Sequence, residues 1–227
     1  MDDEEGELWL LDHFREDGYR AGEWSLPGTF LHEGETLEQA VIRSLEEKMG
    51  ISGARPRQLH VFDDPARDDR GWVISVAHVV LLRMRDAIQL LRARDDLEYQ
   101  TVDGVLGLPF DHDEIVALAV AEVRQQYALL PDPYFLLGDS FTLKELQAVH
   151  EAIAAPVREG ETRPHPDTFR RYMVDNGLVQ RLDETRVVGR GRPAQLYTRS
   201  ADSADLSRLA GVRPARRLSG TAMGRRP

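Results

Sequence analysis

One segment, residues 26–51, constrains the fold of this 227-residue chain more than any other. It reads LPGTFLHEGETLEQAVIRSLEEKMGI, which is a turn followed by a strongly patterned helix. Thr36 and Gln39 have the spacing of a capping box, and Gly50 has the position of a helix C-terminal cap. Apolar residues recur every four positions, which predicts that one face of the helix lies in a core. These residues are Leu37, Val41, Leu45 and Met49.

The same segment resembles the Nudix box, which combines a Gly, a Glu and an Arg-Glu-hydrophobic-x-Glu-Glu-x-Gly-hydrophobic run. The matching residues are Glu35, Arg43, Leu45, Glu47, Gly50 and Ile51. In that family the box glutamates hold divalent metal ions that bridge a pyrophosphate and activate water. The resemblance implies an α/β (α+β) fold, a Nudix α/β/α sandwich with a mixed sheet.

Three departures remove the groups that the chemistry of the box needs. Thr29 stands at the first box glycine, Ser44 at the glutamate after the arginine, and Lys48 at the second paired glutamate. Ser44, Glu47 and Lys48 are spaced i, i+3 and i+4, so they share one helix face. Hard cations need clustered carboxylate oxygens on that face. We therefore expect no catalytic residue, no metal and no required cofactor, with pyrophosphate hydrolysis absent or very weak.

The remaining polar residues of the box have structural interpretations. Arg43 precedes Glu47 by four residues and is predicted to pair with it, with Glu35 as a second partner. Lys48 has two interpretations. It either neutralises a ligand phosphate in place of the metal, or it is an ordinary exposed helix lysine.

Two later segments resemble the Nudix-related regulators of NAD metabolism (the NrtR type). They are FDDPARDDRGWVISVAHVVLL, from residue 62, and LPFDHDEIVALAV, from residue 108. The resemblance implies a cleft beside the box helix that holds ADP-ribose or a related NAD-derived nucleotide. Its expected ligand-binding residues are Trp24, Phe62, Arg67, Arg70 and Lys48. Trp24 also suits a core, and the two arginines also suit pairs with neighbouring aspartates.

Charge divides the chain into two unlike halves. Residues 1–135 carry a net charge of −15 and residues 136–227 a net charge of +5. A basic second half suits a polyanion, although a solvated acidic face and an arginine-rich tail would give the same totals. The chain has no cysteine and no long apolar run, so we expect a cytoplasmic protein without disulfides or membrane spans.

The second half resembles the winged helix-turn-helix of the same regulators. The stretches FTLKELQAVHEAI, PDTFRRYMVDNGLV and GRGRPAQLYTR give helix, helix and basic hairpin. On the second helix Phe169, Met173 and Tyr172 are predicted to face the core, since the opposite face is needed for DNA. The expected DNA contacts are Arg163, Thr168, Arg170, Arg171, Arg190 and Arg192. A helical protein-binding module with an ordinary hairpin remains the alternative.

Other elements are predicted more locally. Strands are expected over Glu7–His13, Trp72–Leu82, Leu178–Leu182 and Ala194–Arg199. Helices are expected from the capping spacings Asp111 with Glu114 and Thr142 with Glu145, and from residue 166 to 176. On the first of these, Ile115 and Leu118 are placed on the core side. Nudix folds usually have a strand before the first one predicted here, so the sheet is expected to lack it or to begin further upstream.

Together these features predict a ligand-responsive repressor of NAD biosynthesis or salvage genes. Residues 1–135 form the ligand-sensing domain, residues 136–200 the DNA-binding domain, and residues 201–227 a mostly disordered basic tail. A homodimer is expected to grip a palindromic double-stranded operator. One alternative is an active ADP-ribose pyrophosphatase with an accessory winged helix, and another is a non-catalytic interaction module that binds no DNA.

Overall fold

The computed structural model describes residues 8–103, 107–154, 163–187 and 193–201. The predicted tail from residue 202 onward and the wing arginines Arg190 and Arg192 lie outside these ranges. In chain order the elements are β1 (Trp9–Phe14), β2 (Trp24–Ser25), α1 (Leu37–Met49), β3 (Arg57–Phe62), β4 (Ser75–Val79), α2 (Met84–Ala93), β5 (Leu97–Thr101), α3 (His112–Leu129), α4 (Leu143–Ile153), α5 (Pro166–Asp175), β6 (Val179–Arg186) and β7 (Ala194–Arg199). None of the described helices has the length and apolar character that crossing a membrane requires.

The box helix α1 packs on a three-stranded antiparallel sheet of order β2-β1-β5. Both bonds of the predicted capping box between Thr36 and Gln39 are present, and Gly50 caps the other end at φ 69°. Leu45 and Met49 are buried with Leu97 of β5. Leu37 was predicted to share that face but is 42% exposed, because it begins the helix at the edge of an open cleft that it lines.

A second sheet, β3 with β4, packs against α3 on the other side of the domain. Phe62, Ala77 and Ile115 form its buried cluster. Leu118 was predicted to face the core but is 38% exposed, because the buried face of α3 continues through other residues, including Val123. The predicted α/β class is confirmed. The predicted mixed sheet is not found among the described residues, because each pair of neighbouring strands there runs antiparallel.

The strand predicted over Trp72–Leu82 is much shorter than its β-branched composition suggests. Only Ser75–Val79 has a partner strand, because the facing strand β3 is itself six residues long. Trp72 therefore lies outside the ladder and is 83% exposed. Asp111 does precede α3, but it makes no side-chain cap bond because its carboxylate has another partner.

Helices α4 and α5 and the hairpin β6–β7 enclose a second core, as the winged-helix plan predicts. Phe169 and Met173 of α5 are buried as predicted, whereas Tyr172 is 44% exposed because it lies beside their face. The capping box predicted at the start of α4 is present. The buried members of this core are Phe141, Leu146, Phe169, Met173, Val179 and Tyr197.

The connector between the two cores is buried around Asp132. This carboxylate is fully buried and accepts hydrogen bonds from the Tyr127 hydroxyl at 2.8 Å and from the backbone N–H groups of Leu136 and Leu137 at 2.9 and 2.8 Å. Arg199 of β7 completes the cluster with an ion pair to Asp132. The last residue of the wing hairpin is thereby fastened to the end of the Nudix helix α3.

Apolar packing also crosses this junction. Val123 and Tyr127 of α3 share one buried cluster with Tyr134 of the connector and Ile153 of α4. The ring of His150 lies edge-on to Tyr127 at 5.2 Å and edge-on to Phe169 of α5 at 5.1 Å. The core of the first domain is therefore continuous with the base of the winged helix.

Candidate functional site

A cleft of about 1150 Å³ opens beside the box helix. One wall is formed by α1, which contributes Ser44 and Lys48, and by the Pro27–Gly28 turn that precedes it. Arg67 and Arg70, from the loop after β3, line the cleft from another side. The cleft also extends to the apolar side chains of the domain junction, including Leu136 and Ile153. The cleft therefore adjoins both the box and the connector.

The charged side chains of the box hold its loop in place. Arg43 donates to both oxygens of Glu35, at 2.8 and 3.0 Å, and to Glu47 at 3.4 Å. Both predicted pairs are thus present, and Arg43 also bonds the Phe30 carbonyl at 3.0 Å and the Thr29 hydroxyl at 3.1 Å. The hydrogen bonds from Arg43 lower the pKa of Glu35 to about 2. The Arg43 guanidinium therefore fastens the turn to α1.

The residues of this helix face do not fit a divalent cation. Ser44 is buried and offers a neutral hydroxyl, Glu47 is bonded by Arg43, and the Lys48 ammonium donates to the Gly28 carbonyl. Across the described ranges, no group of three or more acidic, histidine or cysteine side chains is placed to hold a metal. A hydroxyl and an ammonium at the expected ligand positions supply no anionic oxygen.

Lys48 is not an ordinary exposed lysine. It is half-buried in the cleft wall, and burial together with the nearby Arg15 lowers the pKa of its ammonium below the usual lysine value. Arg15 lines the same cleft and donates to the Tyr19 carbonyl at 3.0 and 2.6 Å. This end of the cleft is consequently a place where cationic groups converge.

Both arginines of the β3–β4 loop pair with aspartates. Arg70 pairs with a neighbour in the sequence, as the alternative interpretation expected, whereas the partner of Arg67 is distant in the sequence. Arg67 makes a bidentate pair with Asp111 at 2.8 and 2.7 Å, and its side chain is 7% exposed. Arg70 pairs with Asp68 at 2.9 and 2.6 Å but keeps a 40% exposed side chain. Arg70 is therefore the more accessible of the two to a ligand.

Two of the predicted ligand residues do not line the cleft. Phe62 is buried in the β3–α3 cluster, because it ends β3 on the side that α3 covers. Trp24 packs edge-on against Phe14 at 5.4 Å, because β2 pairs these two positions across the sheet. The core interpretation of Trp24 fits this packing, and neither Trp24 nor Phe62 is among the residues that line the cleft.

Sequence reasoning missed an aromatic and cationic cluster at the cleft mouth. The guanidinium of Arg70 lies 4.9 Å from the Tyr19 ring and 5.4 Å from the Phe110 ring. Arg20 lies 5.0 Å from Phe110, and both Arg20 and Phe110 have positive φ. Such strained backbone often marks functional loops. No local sequence pattern predicts this cluster, because its members come from three loops that are far apart in the sequence.

His112 is a second cleft residue that the sequence analysis missed. Its Nδ1 accepts a hydrogen bond from the Leu26 backbone N–H at 3.3 Å. Burial lowers the pKa of His112 to about 4, so the ring is neutral near neutral pH. It therefore orients the turn before the box and adds no positive charge to the cleft.

The second helix of the winged domain presents its predicted polar face to solvent. Thr168, Arg170 and Arg171 of α5 are exposed, opposite the buried Phe169 and Met173. Arg163 is exposed but donates to the Glu151 carbonyl near the end of α4. The structure thus leaves the α5 arginines accessible to a partner.

A Nudix-type cleft joined to a winged helix defines the class of protein, a Nudix-related transcriptional regulator. The NUDIX domain profile matches residues 1–130, and the profile of the NrtR DNA-binding winged helix domain matches residues 133–198. The ADPR responsive transcriptional repressor NtrR of Acinetobacter baylyi is 30% identical over 198 residues, 86% of this chain and 76% of the relative. The chain belongs to the NrtR family of transcriptional repressors.

Two further similarities bear on its function. The crystal structure of Shewanella oneidensis NrtR complexed with a 27mer DNA is 32% identical, with a TM-score of 0.68 over 88% of this chain and 90% of that one. The ADP-ribose pyrophosphatase of Methanocaldococcus jannaschii is 36% identical over 99 residues, 42% of this chain and 56% of the relative.

Proposed function

We propose that this protein represses NAD biosynthesis or salvage genes and is released from DNA by ADP-ribose or a related nucleotide. Residues 1–135 sense the ligand and residues 136–200 bind the operator. The observation that carries the proposal is that one chain joins two parts. The first is a box whose Arg43–Glu35 pair is kept while Ser44 and Lys48 replace two of its three metal-binding glutamates, and the second is a winged helix with exposed arginines. The relative named for its response to ADPR supports the choice of effector.

The ligand-binding residues of this proposal are Lys48, Arg67 and Arg70. Arginine suits a diphosphate because its planar guanidinium bonds two oxygens at once. Arg70 is partly exposed, whereas Arg67 supports the site through its pair with Asp111. Since the cleft reaches the connector, a ligand there acts on the element that positions the winged helix.

For DNA, the proposal places α5 in the major groove of each half of a palindromic operator, with two copies of the chain related by a twofold axis. Thr168, Arg170 and Arg171 contact the duplex from α5. Arg190 and Arg192, from the segment between β6 and β7, contact it as well, and so does Arg163, which precedes α5. Five of these six residues are arginines, so the affinity is expected to depend strongly on salt.

A gel shift on the DNA upstream of NAD biosynthesis genes and of the protein's own gene tests this proposal. We expect retardation of a palindromic fragment that weakens steeply with salt and is reversed by ADP-ribose. Absence of retardation at low salt on every fragment would contradict it. Because coupling is reciprocal, operator DNA must also weaken ADP-ribose binding by the same factor.

Replacing a recognition-helix arginine separates the two activities. Arg170→Ala is expected to weaken operator binding by about tenfold or more, because it removes a charged contact, while ADP-ribose affinity is unchanged. Arg85→Ala is the matched control, since Arg85 is exposed on the Nudix helix α2. Fluorescence anisotropy with labelled operator measures both variants. Loss of ligand binding without loss of DNA binding in Arg170→Ala would reverse the domain assignment.

The alternative is a pyrophosphatase with an accessory winged helix, which the similarity to the archaeal enzyme favours. We propose that hydrolysis is absent or very weak, because Ser44 and Lys48 replace box glutamates and Glu47 is engaged by Arg43. Incubation of ADP-ribose with the protein and Mg²⁺ or Mn²⁺ tests this. Rapid cleavage that Glu47→Gln abolishes would establish the enzyme instead.

A further inference from the structure

We propose that Lys48, with Ser44 and Arg15, forms a metal-free binding subsite for the diphosphate of the effector. The inference rests on the proposed function, because it concerns how the same cleft holds its ligand. Its consequence is that ADP-ribose binding needs no divalent cation. Ser44 and Lys48 occupy positions where the box of a hydrolase presents carboxylates, and Arg15 lines the same cleft.

Ser44 supplies the observation that points most directly to a ligand. Ser44 lines the cleft and is 4% exposed. Its hydroxyl oxygen is buried and has no hydrogen-bond partner among the described residues. A buried polar group of this kind is costly unless something bonds it. A hydroxyl donates readily to a phosphate oxygen, whereas a cation would gain from it only a weak neutral ligand.

Lys48 lies one helical turn from Ser44 and brings a full positive charge to the same wall. Its ammonium donates to the Gly28 carbonyl, which holds the side chain across the cleft surface. An ammonium has three N–H donors, so two remain for phosphate oxygens while the Gly28 bond persists. The site is therefore pre-formed, and binding does not require the side chain to be reordered.

The charges around Lys48 favour an anion. Arg15 and Arg43 both act on it as cations, and Glu47 and Asp17 act on it as anions. Glu47 is 60% exposed and bonded to Arg43, so its charge is largely compensated. Arg15 lines the cleft and bonds only a neutral carbonyl through the hydrogen bonds described for it. Lys48 and Arg15, which face the cavity, are therefore less compensated by anions than Arg43 is.

Calorimetry on the full-length protein tests the cation requirement directly. ADP-ribose is titrated in EDTA and in Mg²⁺ or Mn²⁺, and we expect dissociation constants that agree within about twofold, since no cation bridges the diphosphate. Binding that appears only with a divalent cation would overturn the inference and leave the proposed function intact. Absence of ADP-ribose binding under all conditions would instead refute the proposed function.

Substitution of Lys48 tests the residue assignment. Lys48→Met removes the charge at similar length and is expected to weaken ADP-ribose binding in EDTA by roughly tenfold to a hundredfold, as for other charge-assisted hydrogen bonds. Lys144→Met is the matched control, because Lys144 is the other lysine of the chain and lies exposed on α4. Unchanged affinity in folded Lys48→Met would overturn the role of Lys48.

Two further variants test the role of the Lys48 charge in a way that a folding defect cannot imitate. Lys48→Arg keeps the charge and is expected to bind in EDTA within a few-fold of the natural protein. Ser44→Glu with Lys48→Glu rebuilds a face of three carboxylates with Glu47, and its ADP-ribose binding is expected to become dependent on Mg²⁺ or Mn²⁺. Metal-independent binding by this double variant at undiminished affinity would show that the subsite lies elsewhere.

Discussion

Two arginine–carboxylate clusters of this protein use the same chemistry in opposite surroundings. At the cleft, Arg43 holds Glu35 and Glu47 with side chains that are 22%, 14% and 60% exposed. At the domain junction, Arg199 holds Asp132 with side chains that are 7% and 0% exposed. The first cluster lies beside solvent and a ligand cavity, and the second is enclosed by the packing of two domains.

The difference shows how much each cluster can change without loss of the fold. Water screens the pairs of Arg43, so we expect their loss to cost little of the free energy of unfolding. Asp132 and Arg199 have been removed from water, so each depends on the other for compensation of its charge. The box has lost two of its three metal-binding carboxylates, while the junction pair links the winged helix to the connector.

Asp132→Asn is expected to have the largest effect. It leaves the Arg199 guanidinium buried without its counter-charge, which costs about 3–5 kcal/mol of the free energy of unfolding. Urea denaturation measures the loss. The double variant Asp132→Asn with Arg199→Met should recover part of it, because no unpaired charge remains. A loss no larger than that caused by Glu35→Gln would break the contrast between the two clusters.

Asp12 sharpens the contrast, because its carboxylate is also fully buried. Among the contacts described for it, its side-chain partner is the amide of Gln100 and not a cation. Burial raises the pKa of Asp12 to about 6, although Gln100 donates to it at 2.6 Å. The folded state therefore binds the proton more tightly than the unfolded chain, and stability falls as pH rises from about 4 to about 6.

Asp12→Asn removes that penalty and is expected to stabilise the protein by up to about 3 kcal/mol at pH 7, with little gain at pH 4. Thermal unfolding at both pH values measures the difference. Equal effects at the two pH values would show that the carboxyl charge is not responsible.

Glu35→Gln is expected to have the smallest effect. The folded-state pKa of Glu35 is depressed to about 2, so its contribution is fully present above about pH 4.5 and is lost as pH falls toward 2. The variant should be slightly less stable than the natural protein at pH 7 and indistinguishable from it near pH 2. Parallel melting curves across this range provide the check, and a constant offset at every pH would contradict the assignment.

Local patterns predicted the parts of the molecule that are encoded locally. The capping boxes at Thr36 and Thr142 and the helix end at Gly50 depend on neighbours within a few residues, and the structure confirms them. The pair of Arg43 with Glu47 was predicted from their i, i+4 spacing, with Glu35 as a second partner, and both pairs are also confirmed.

The errors concern partners that are distant in the sequence. Asp111 has the spacing of a helix cap but bonds Arg67, which lies 44 residues away. Trp72 belongs to a run that favours a strand, yet pairing is decided by the short length of β3. Helix α2 was not predicted, because its N-cap residue, Arg83, makes no side-chain cap bond and has no capping-box spacing that the sequence could show.

The packing of Val123, Tyr127 and Ile153 across the junction has a consequence for anyone who divides the chain. A fragment that ends near residue 130 exposes the apolar side chains of α3 that α4 covers. A fragment that begins near residue 130 loses the Tyr127 ring against which His150 packs. Each domain is therefore expected to be less stable as a separate fragment than in the whole chain, and replacing one with a foreign counterpart requires a matching surface on the other.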